Sequence, residues 1–326
     1  MKKILLGLLI FTMLFIGYFF IGGPPQPEKI DWGVNFSQKH AELLGLDWQE
    51  NYSALLSDLG VERIKVLTQW DLLEPAPAQY DFNDLDWQIE EAEKQNAKVL
   101  LVMGIKTGRW PECHIPDWTK NLSKEEQQNR ILKLIENIVL RYQNSKVIWA
   151  WQVENEPLFP FGECPWTDKV FLKKEIQLVK SLDSKPRPVI ISDSGEGSFW
   201  ITAAQLGDII ATTMYKKVWF NQLNTYVYYP LPPTFYWRKA QLIDKIFNKK
   251  VIVGELQAEP WGPKLLYESP IEEQEKSMNL EMFKSNIEFA KKTGLDEFYL
   301  WGAEWWYWMK TKQNKPEIWQ EAQKLF

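Results

Sequence analysis

The sequence predicts an α/β fold, a (β/α)8 barrel preceded by a single N-terminal transmembrane helix. Three observations carry this expectation. From about residue 29 onward, short β-branched runs alternate eight times with longer amphipathic stretches, the pattern of a parallel sheet wrapped by helices. About 295 residues hold those eight units and almost nothing else, which is the size of one such barrel. Residues 4–21 carry no charge and follow directly on Lys2 and Lys3.

The apolar segment comes first in the chain. Eighteen residues at about 1.5 Å each give roughly 27 Å, close to the hydrocarbon thickness of a bilayer. A cleaved signal peptide is the alternative, but its apolar region runs only about 7 to 15 residues and ends in a small-x-small site. Here the exit reads Tyr18-Phe19-Phe20-Ile21-Gly22-Gly23, so a retained anchor is expected, with secretion after cleavage as the other outcome. Lys2 and Lys3 should stay in the cytoplasm and leave the remaining chain outside. The division is therefore 1–22 anchor, 23–28 linker with the stiff sequence GPPQPE, and 29–326 barrel.

The expected strands are Asp31 to Phe36, Arg63 to Thr68, Lys98 to Gly104, Val147 to Val153, Pro188 to Ser192, Asp208 to Met214, Lys250 to Gly254 and Glu297 to Trp301. Helical patterns separate them. In 123–142, Ser123 and Glu126 have capping-box spacing ahead of Ile131, Leu132, Leu134 and Ile135; Glu272 to Lys292 and Lys315 to Phe326 read similarly. A doubly wound open sheet is the competing architecture, but the stretch after the first strand, GVNFSQKHA, lacks its glycine-rich phosphate turn.

Composition narrows the chemistry. Lys+Arg 38 against Asp+Glu 43 gives a net charge of −5, so no phosphate-backbone partner is indicated and nucleic acid is not expected. Two His and two Cys cannot build the usual zinc sites, although a carboxylate-only Mg2+ or Ca2+ site stays open. Aromatic residues make 14% of the chain, more flat side chains than one core requires, and some should face a ligand.

A barrel puts its active site at the C-terminal ends of the strands. Those ends carry Trp70 after the second strand, Lys106 and Arg109 after the third, and Asn155 and Glu156 after the fourth. Asp193 and Glu196 follow the fifth, Tyr215 the sixth, Glu255 the seventh, and Trp301, Glu304 and Trp305 the eighth. Two carboxylates on opposite walls of a cleft lined by aromatic rings are the equipment for cleaving a glycosidic bond. The run IWAWQVENEP delivers Glu156 and VIVGELQAEPW delivers Glu255, with Gly254 allowing close approach of another group.

WQVENEP ending the fourth strand and VIVGE ending the seventh resemble the retaining glycoside hydrolases of clan A, which include cellulase, mannanase and β-galactosidase families on (β/α)8 barrels. The resemblance spans about 31 to 310 and includes TQWDLLEPAPAQYDFNDLDWQI, residues 68–89. It implies Glu156 as general acid/base and Glu255 as nucleophile. It further implies Asn155 as a contact to the sugar 2-hydroxyl, Tyr215 as the hydrogen-bond partner of the nucleophile, and Trp301 as an aromatic floor under the sugar. Trp70, Lys65, Glu304 and Trp305 are added as substrate-binding candidates. Many clan members carry an Arg inside the second strand; Lys65 stands at that position here, with Arg63 two residues away on the same face. The clan's His contacts have no counterpart in His40 or His114. The family within the clan is left open.

The implied mechanism is double displacement with retention of the β configuration, which needs no cofactor and no resident metal. The expected partners are a β-linked oligo- or polysaccharide and the membrane, with no nucleic acid and no obligate protein partner. A barrel that binds glycan without cutting it, as a cell-surface receptor or scaffold, is the alternative, and Lys65 is the feature that keeps it open. A barrel holding a divalent metal through carboxylates is a third. Glu154 and Glu259 read as surface salt-bridge formers, Asp193 and Glu196 equally as substrate contacts or local turn formers, and Trp149 and Trp151 as packing. Trp219, Phe220, Tyr226, Tyr228 and Tyr229 crowd a loop after the sixth strand and could line the cleft or cover a helix. Cys113 and Cys164 fall in neighbouring loops, and outside the cytoplasm they favour a disulfide.

Overall fold

The computed structural model describes residues 2–326. Eight parallel strands close into a barrel: β1 (Asp31–Phe36), β2 (Arg63–Leu67), β3 (Lys98–Met103), β4 (Ile148–Val153), β5 (Val189–Asp193), β6 (Ile209–Met214), β7 (Val251–Gln257) and β8 (Glu297–Trp301). Each pairs with its neighbours in sequence, and β1 meets β8 with Asp31 opposite Glu297. Every expected strand is present, with ends moved by at most one residue except at β7, which runs on to Gln257.

Alternation of side chains divides the apolar residues into two layers. Leu100, Ala150, Ile190, Ala211, Ile252 and Tyr299 fill the barrel interior. Val99, Leu101, Trp151, Val153, Ile191, Val251, Val253 and Leu256 point outward to the helices and belong to the larger core. Above the apolar interior lies a polar tier in which Asn35, Lys65, Gln152 and Thr212 are fully buried. Asn35 Nδ2 donates to the carbonyls of Gly254 at 3.0 Å and Leu300 at 3.2 Å, tying β1 to β7 and β8 just below the mouth.

The helix Lys124–Tyr142 begins with the expected capping box, Ser123 and Glu126 exchanging hydrogen bonds. The segment expected as one helix over 272–292 is two, Ile271–Gln274 and Leu280–Lys291. The Ser277 hydroxyl accepts the Trp261 N–H at 3.0 Å, and Asn279 caps the second helix by accepting from Met282 N at 3.0 Å. The last segment is likewise shorter, a helix Glu317–Ala322 followed by a 3-10 turn. The aromatic loop after β6 is a β-hairpin, Lys217–Phe220 against Thr225–Tyr228.

At the N-terminus a helix covers Lys2–Phe20. The expected membrane span rests largely on the side chains of 2–6 and 8–11, which lie outside the described residues. Among the described residues no helix is long and apolar enough to cross a membrane. The last turn of this helix docks on the barrel: Phe19 is buried between Phe199 and Phe235, with ring centroids at 5.9 and 5.8 Å, and Thr234 Oγ1 donates to the Gly22 carbonyl at 2.8 Å.

Candidate active site

Strand β7 brings Glu255 to the mouth by an irregularity. Strict alternation after the inward Ile252 and outward Val253 would point Glu255 outward, into the helix layer. Pairing with β6 instead runs Thr212 to Val253 and then Thr213 to Glu255, so Gly254 is an extra residue on β7. The same excess appears against β8, where Phe298 faces Val253 and Leu300 faces Leu256. This β-bulge re-aims Glu255 inward, as bulges at barrel rims do. A Cβ on residue 254 would lie 2.9 Å from the Ala211 Cβ and 3.9 Å from Lys65 Nζ, so glycine also leaves room for the lysine.

Glu255 is then held from two sides. Tyr215 Oη donates to Oε2 at 2.8 Å, and Lys65 Nζ stands 3.6 Å from Oε1. Oε1 has no hydrogen-bond partner. Lys65 is fully buried and also reaches Asn155 Oδ1 at 3.3 Å. Burial lowers the Lys65 pKa, and the charges of Glu255 and Glu156 oppose that shift. Arg63 sits elsewhere, at the N-terminal end of β2, paired with Asp31 and Glu297.

Strand β4 delivers the second carboxylate through a tight excursion. Glu154 and Glu156 both have positive φ, 61° and 43°, a conformation that costs a non-glycine residue about 1 kcal/mol or more. Hydrogen bonds hold it: Asn155 N donates to the Lys106 carbonyl at 2.6 Å, Glu156 N to Ser192 Oγ at 2.7 Å, and Lys106 Nζ to the Glu156 carbonyl at 3.0 Å. Gln152 Nε2 fixes Asn155 Oδ1 at 3.0 Å from below. Burial, and then the charges of Glu255 and Glu112, push the Glu156 pKa well above the ordinary carboxylate value. One carboxyl thus holds its proton to higher pH than an ordinary carboxyl, while the other keeps an oxygen free of hydrogen bonds.

Glu154 and Glu259 are not on the surface. Glu154 is buried and accepts the backbone N–H groups of Ile105 at 2.9 Å and Lys106 at 2.5 Å. Burial raises its pKa to about 7 against those donors. Glu259 is buried against Arg109 and His40; burial pushes its pKa up, but Arg109 and His40 outweigh that and hold it at about 2.

Several substrate-binding expectations are corrected. Trp70 is wholly buried, its Nε1 donating to Glu74 Oε2 at 2.8 Å and its ring meeting Trp118 edge-on, so no face is left for a sugar. Trp305 is buried with Nε1 bonded to Gln274 Oε1 at 2.8 Å. Glu304 is spent on Ser37 N at 2.6 Å and Arg109 Nη2 at 2.9 Å. All three lie in the first turns of helices that direct their side chains into packing, whereas Asn155, Tyr215, Glu255 and Trp301 converge on the mouth. Trp301 has the Arg109 guanidinium 4.2 Å from its ring centroid.

Glu196 clamps the end of β6, accepting from Tyr215 N at 2.8 Å, Tyr236 Oη at 2.9 Å and Thr213 Oγ1 at 3.1 Å. Asp193 bonds Ser194 N at 2.9 Å and Ser198 Oγ at 2.6 Å, a local turn. Trp151 faces the helices and donates to Asp183 at 2.8 Å. Within the hairpin, Trp219 packs edge-on against Tyr226, and Tyr228 is exposed.

The loop after β3 crosses the mouth. Arg109 leaves it to pair with Glu259 and Glu304 beyond β7 and β8, and Cys113 forms a disulfide with Cys164 in the loop after β4. Between these two fastenings lies Glu112, which the motif reading missed. Its one sequence signal was adjacency to Cys113, since pairing with Cys164 draws residue 112 toward the end of β4.

The family model for glycosyl hydrolase family 10 matches residues 49–174. Mannan endo-1,4-beta-mannosidase A of Emericella nidulans is 26% identical over 152 residues, 44% of this chain and 38% of that protein, so the chain matches well under half the length of its curated relative. Among solved structures, xylanase 10B from Thermotoga petrophila, in complex with xylobiose, superposes with TM-score 0.56 at 16% identity, covering 84% of this chain and 82% of that one. A GH5_18 protein from Bifidobacterium longum subsp. longum gives TM-score 0.58 at 12% identity, covering 84% and 70%.

Proposed function

We propose that this chain, whose motifs, fold and matches support a clan A glycoside hydrolase, is a retaining β-glycosidase acting on a β-linked glycan with Glu255 as nucleophile and Glu156 as acid/base. The observation that carries this reading is the asymmetry of the two carboxyls. Glu255 has one oxygen fixed by Tyr215 and the other free of hydrogen bonds, with Lys65 Nζ 3.6 Å away, while burial and the Glu255 charge raise the Glu156 pKa well above the ordinary carboxylate value.

Glu255 Oε1 attacks the anomeric carbon as the Glu156 carboxyl gives its proton to the departing glycosidic oxygen. The glycosyl ester neutralises Glu255. That removes one charge raising the Glu156 pKa, so Glu156 can then take a proton from water and release the sugar. Lys65, Tyr215 and Asn155 hold the nucleophile and its surroundings; in this reading Asn155 meets the sugar 2-hydroxyl and Trp301 the sugar face. The mannan and xylan chemistry of the relatives makes β-1,4-linked polysaccharides the first substrates to try.

The reading extends to location. The uncharged stretch 4–21 after Lys2 and Lys3 and the disulfide support a barrel tethered to the membrane and held outside the cytoplasm. Fractionation with protease protection of the full chain tests this part separately.

The catalytic part is tested by incubating the full chain with aryl β-glycosides and with β-glucan, mannan, xylan and galactan, beside Glu156→Gln and Glu255→Gln. Glu255→Gln should abolish turnover. Glu156→Gln should retain relatively more activity on aryl glycosides with good leaving groups, because those need no proton. Equal glycan binding without turnover in all three proteins would replace the enzyme with a receptor.

A further inference from the structure

Glu112 has no part in the double displacement, yet the chain goes to some length to place it. It is only 6% exposed, and its Oε2 has no hydrogen-bond partner. Its backbone has φ 75°, a strained value for a side-chain-bearing residue. The strain is held by Thr107 N donating to the Glu112 carbonyl at 3.0 Å, by the pairing of Lys106 with Cys113, and by the Cys113–Cys164 disulfide. Space for it is cleared from the opposite loop. A Cβ on residue 162 would lie 2.5 Å from the Glu112 Cβ, and residue 162 is glycine with φ 92°.

The groups facing this carboxyl are those of the site itself. Lys106, Glu255 and Lys65 act on it through their charges, and the neighbouring Asn155 side chain lowers its pKa. Once ionised, it in turn raises the Glu156 pKa. A buried carboxyl oxygen without a partner is costly unless something else binds there, and what the site is shaped to admit is a sugar.

We infer that Glu112 is a substrate-binding and specificity-determining residue whose carboxyl group hydrogen-bonds a ring hydroxyl of the sugar seated over Asn155. The inference rests on the glycosidase reading above. Burial, which outweighs the opposing Lys106 charge, pushes the Glu112 pKa up to about 8. At neutral pH the group is therefore a carboxylic acid, with an O–H to donate and a carbonyl oxygen to accept, and it adds no negative charge beside Glu255. Such a group matches a neutral hydroxylated ligand, since a hydroxyl both donates and accepts.

The test is calorimetric titration of β-1,4-linked gluco-, manno- and xylo-pentaose into the full-length Glu255→Gln protein, which binds without turning over. The same titrations follow with Glu112→Ala and Glu112→Gln added. Melting temperature and non-reducing mapping of Cys113–Cys164 establish that each variant is folded. Loss of one buried hydrogen bond should weaken binding about tenfold in the alanine variant, and glutamine, which can still donate and accept, should recover most of it. Between pH 7 and 9, binding by the parent should weaken as Glu112 ionises, and the glutamine variant should show no such fall. Should the alanine variant prove unfolded, this pH comparison decides alone. A parent that binds a pentaose with alanine and glutamine variants matching it in affinity and pH profile overturns the inference and spares the glycosidase reading. A parent that binds none of them overturns both.

Discussion

Lys65 Nζ lies 3.6 Å from Glu255 Oε1 in a fully buried position, so an ammonium group, not a guanidinium fork, faces the open oxygen of the proposed nucleophile. The lysine is a point charge without bidentate geometry, and Tyr215 supplies the directional bond on the other oxygen. Lys65→Met should lower kcat by about 30- to 150-fold, the worth of about 2–3 kcal/mol for a charged contact, with little change in KM. Steady-state kinetics on an aryl β-glycoside check this; an unchanged kcat would remove Lys65 from the machinery.

Tyr215→Phe deletes one hydrogen bond to Glu255 Oε2. About 1.5–3 kcal/mol for a bond to a charged acceptor predicts a fall in kcat of about 10- to 150-fold. Because Glu196 holds Tyr215 through its backbone N–H, the ring should stay in place. Circular dichroism and melting should match those of the parent.

Glu156 must carry its proton to act as an acid. Its pKa is raised by burial and by Glu255, so glycosylation should persist above the pH at which an ordinary carboxyl ionises and fail as pH climbs through that raised value. In Glu156→Gln this alkaline limb should vanish from kcat/KM on substrates with good leaving groups. A limb that survives the substitution belongs to another group, and the Glu112→Gln profile says whether it is that one.

Glu154 and Glu175 form a buried acidic pair beside a cavity of about 240 Å3 behind the β4 loop. Burial raises both, Glu154 to about 7, and for Glu175 the charge of Glu154 adds to the effect. The folded state then holds protons that the unfolded state releases near the ordinary value of 4.5. Their contribution to stability is full below that value and is lost as pH rises, through about 7 for Glu154 and through its own raised value for Glu175. The drop in melting temperature from pH 5 to pH 8 should be smaller by a few degrees in Glu175→Gln. An equal drop in both proteins counts against the pair.

Arg109 is the only cation drawn between Glu259 and Glu304 among the pairs in the described residues. Arg109→Met takes the shared guanidinium from two buried carboxyls and should cost about 3–5 kcal/mol of stability. Adding Glu304→Gln to Arg109→Met should return part of that loss, because one stranded charge is gone. Urea denaturation of the two variants measures the difference.

Much of this molecule was legible in its letters. Runs such as KVLLVM and VIVGEL, bounded by turn residues, located the strands because a strand buried on both faces must be apolar throughout. The carboxylates at the ends of β4 and β7 followed from the barrel's geometry. What stayed hidden was orientation. Trp70 and Trp305 stand just past strand ends as Glu156 does, but both lie in helices that turn them inward, and position along the chain does not tell the cases apart. The bulge at Gly254 leaves no mark beyond a glycine, although without it Glu255 would face the helices. Glu112 reaches the site only because its loop crosses the mouth, a contact made by folding at long range. In the interrupted helix, Asn279 was a readable cap, but the apolar periodicity on both sides concealed it.

The Arg109 bridge has one more implication, for salt. It joins the rim after β3 to the rims after β7 and β8 through carboxylates that are themselves buried. Dissolved ions screen exposed charges well and buried ones poorly. The mouth of the barrel is accordingly fastened by electrostatics that brine loosens little, and its aperture should hold as the ionic strength around it rises and falls.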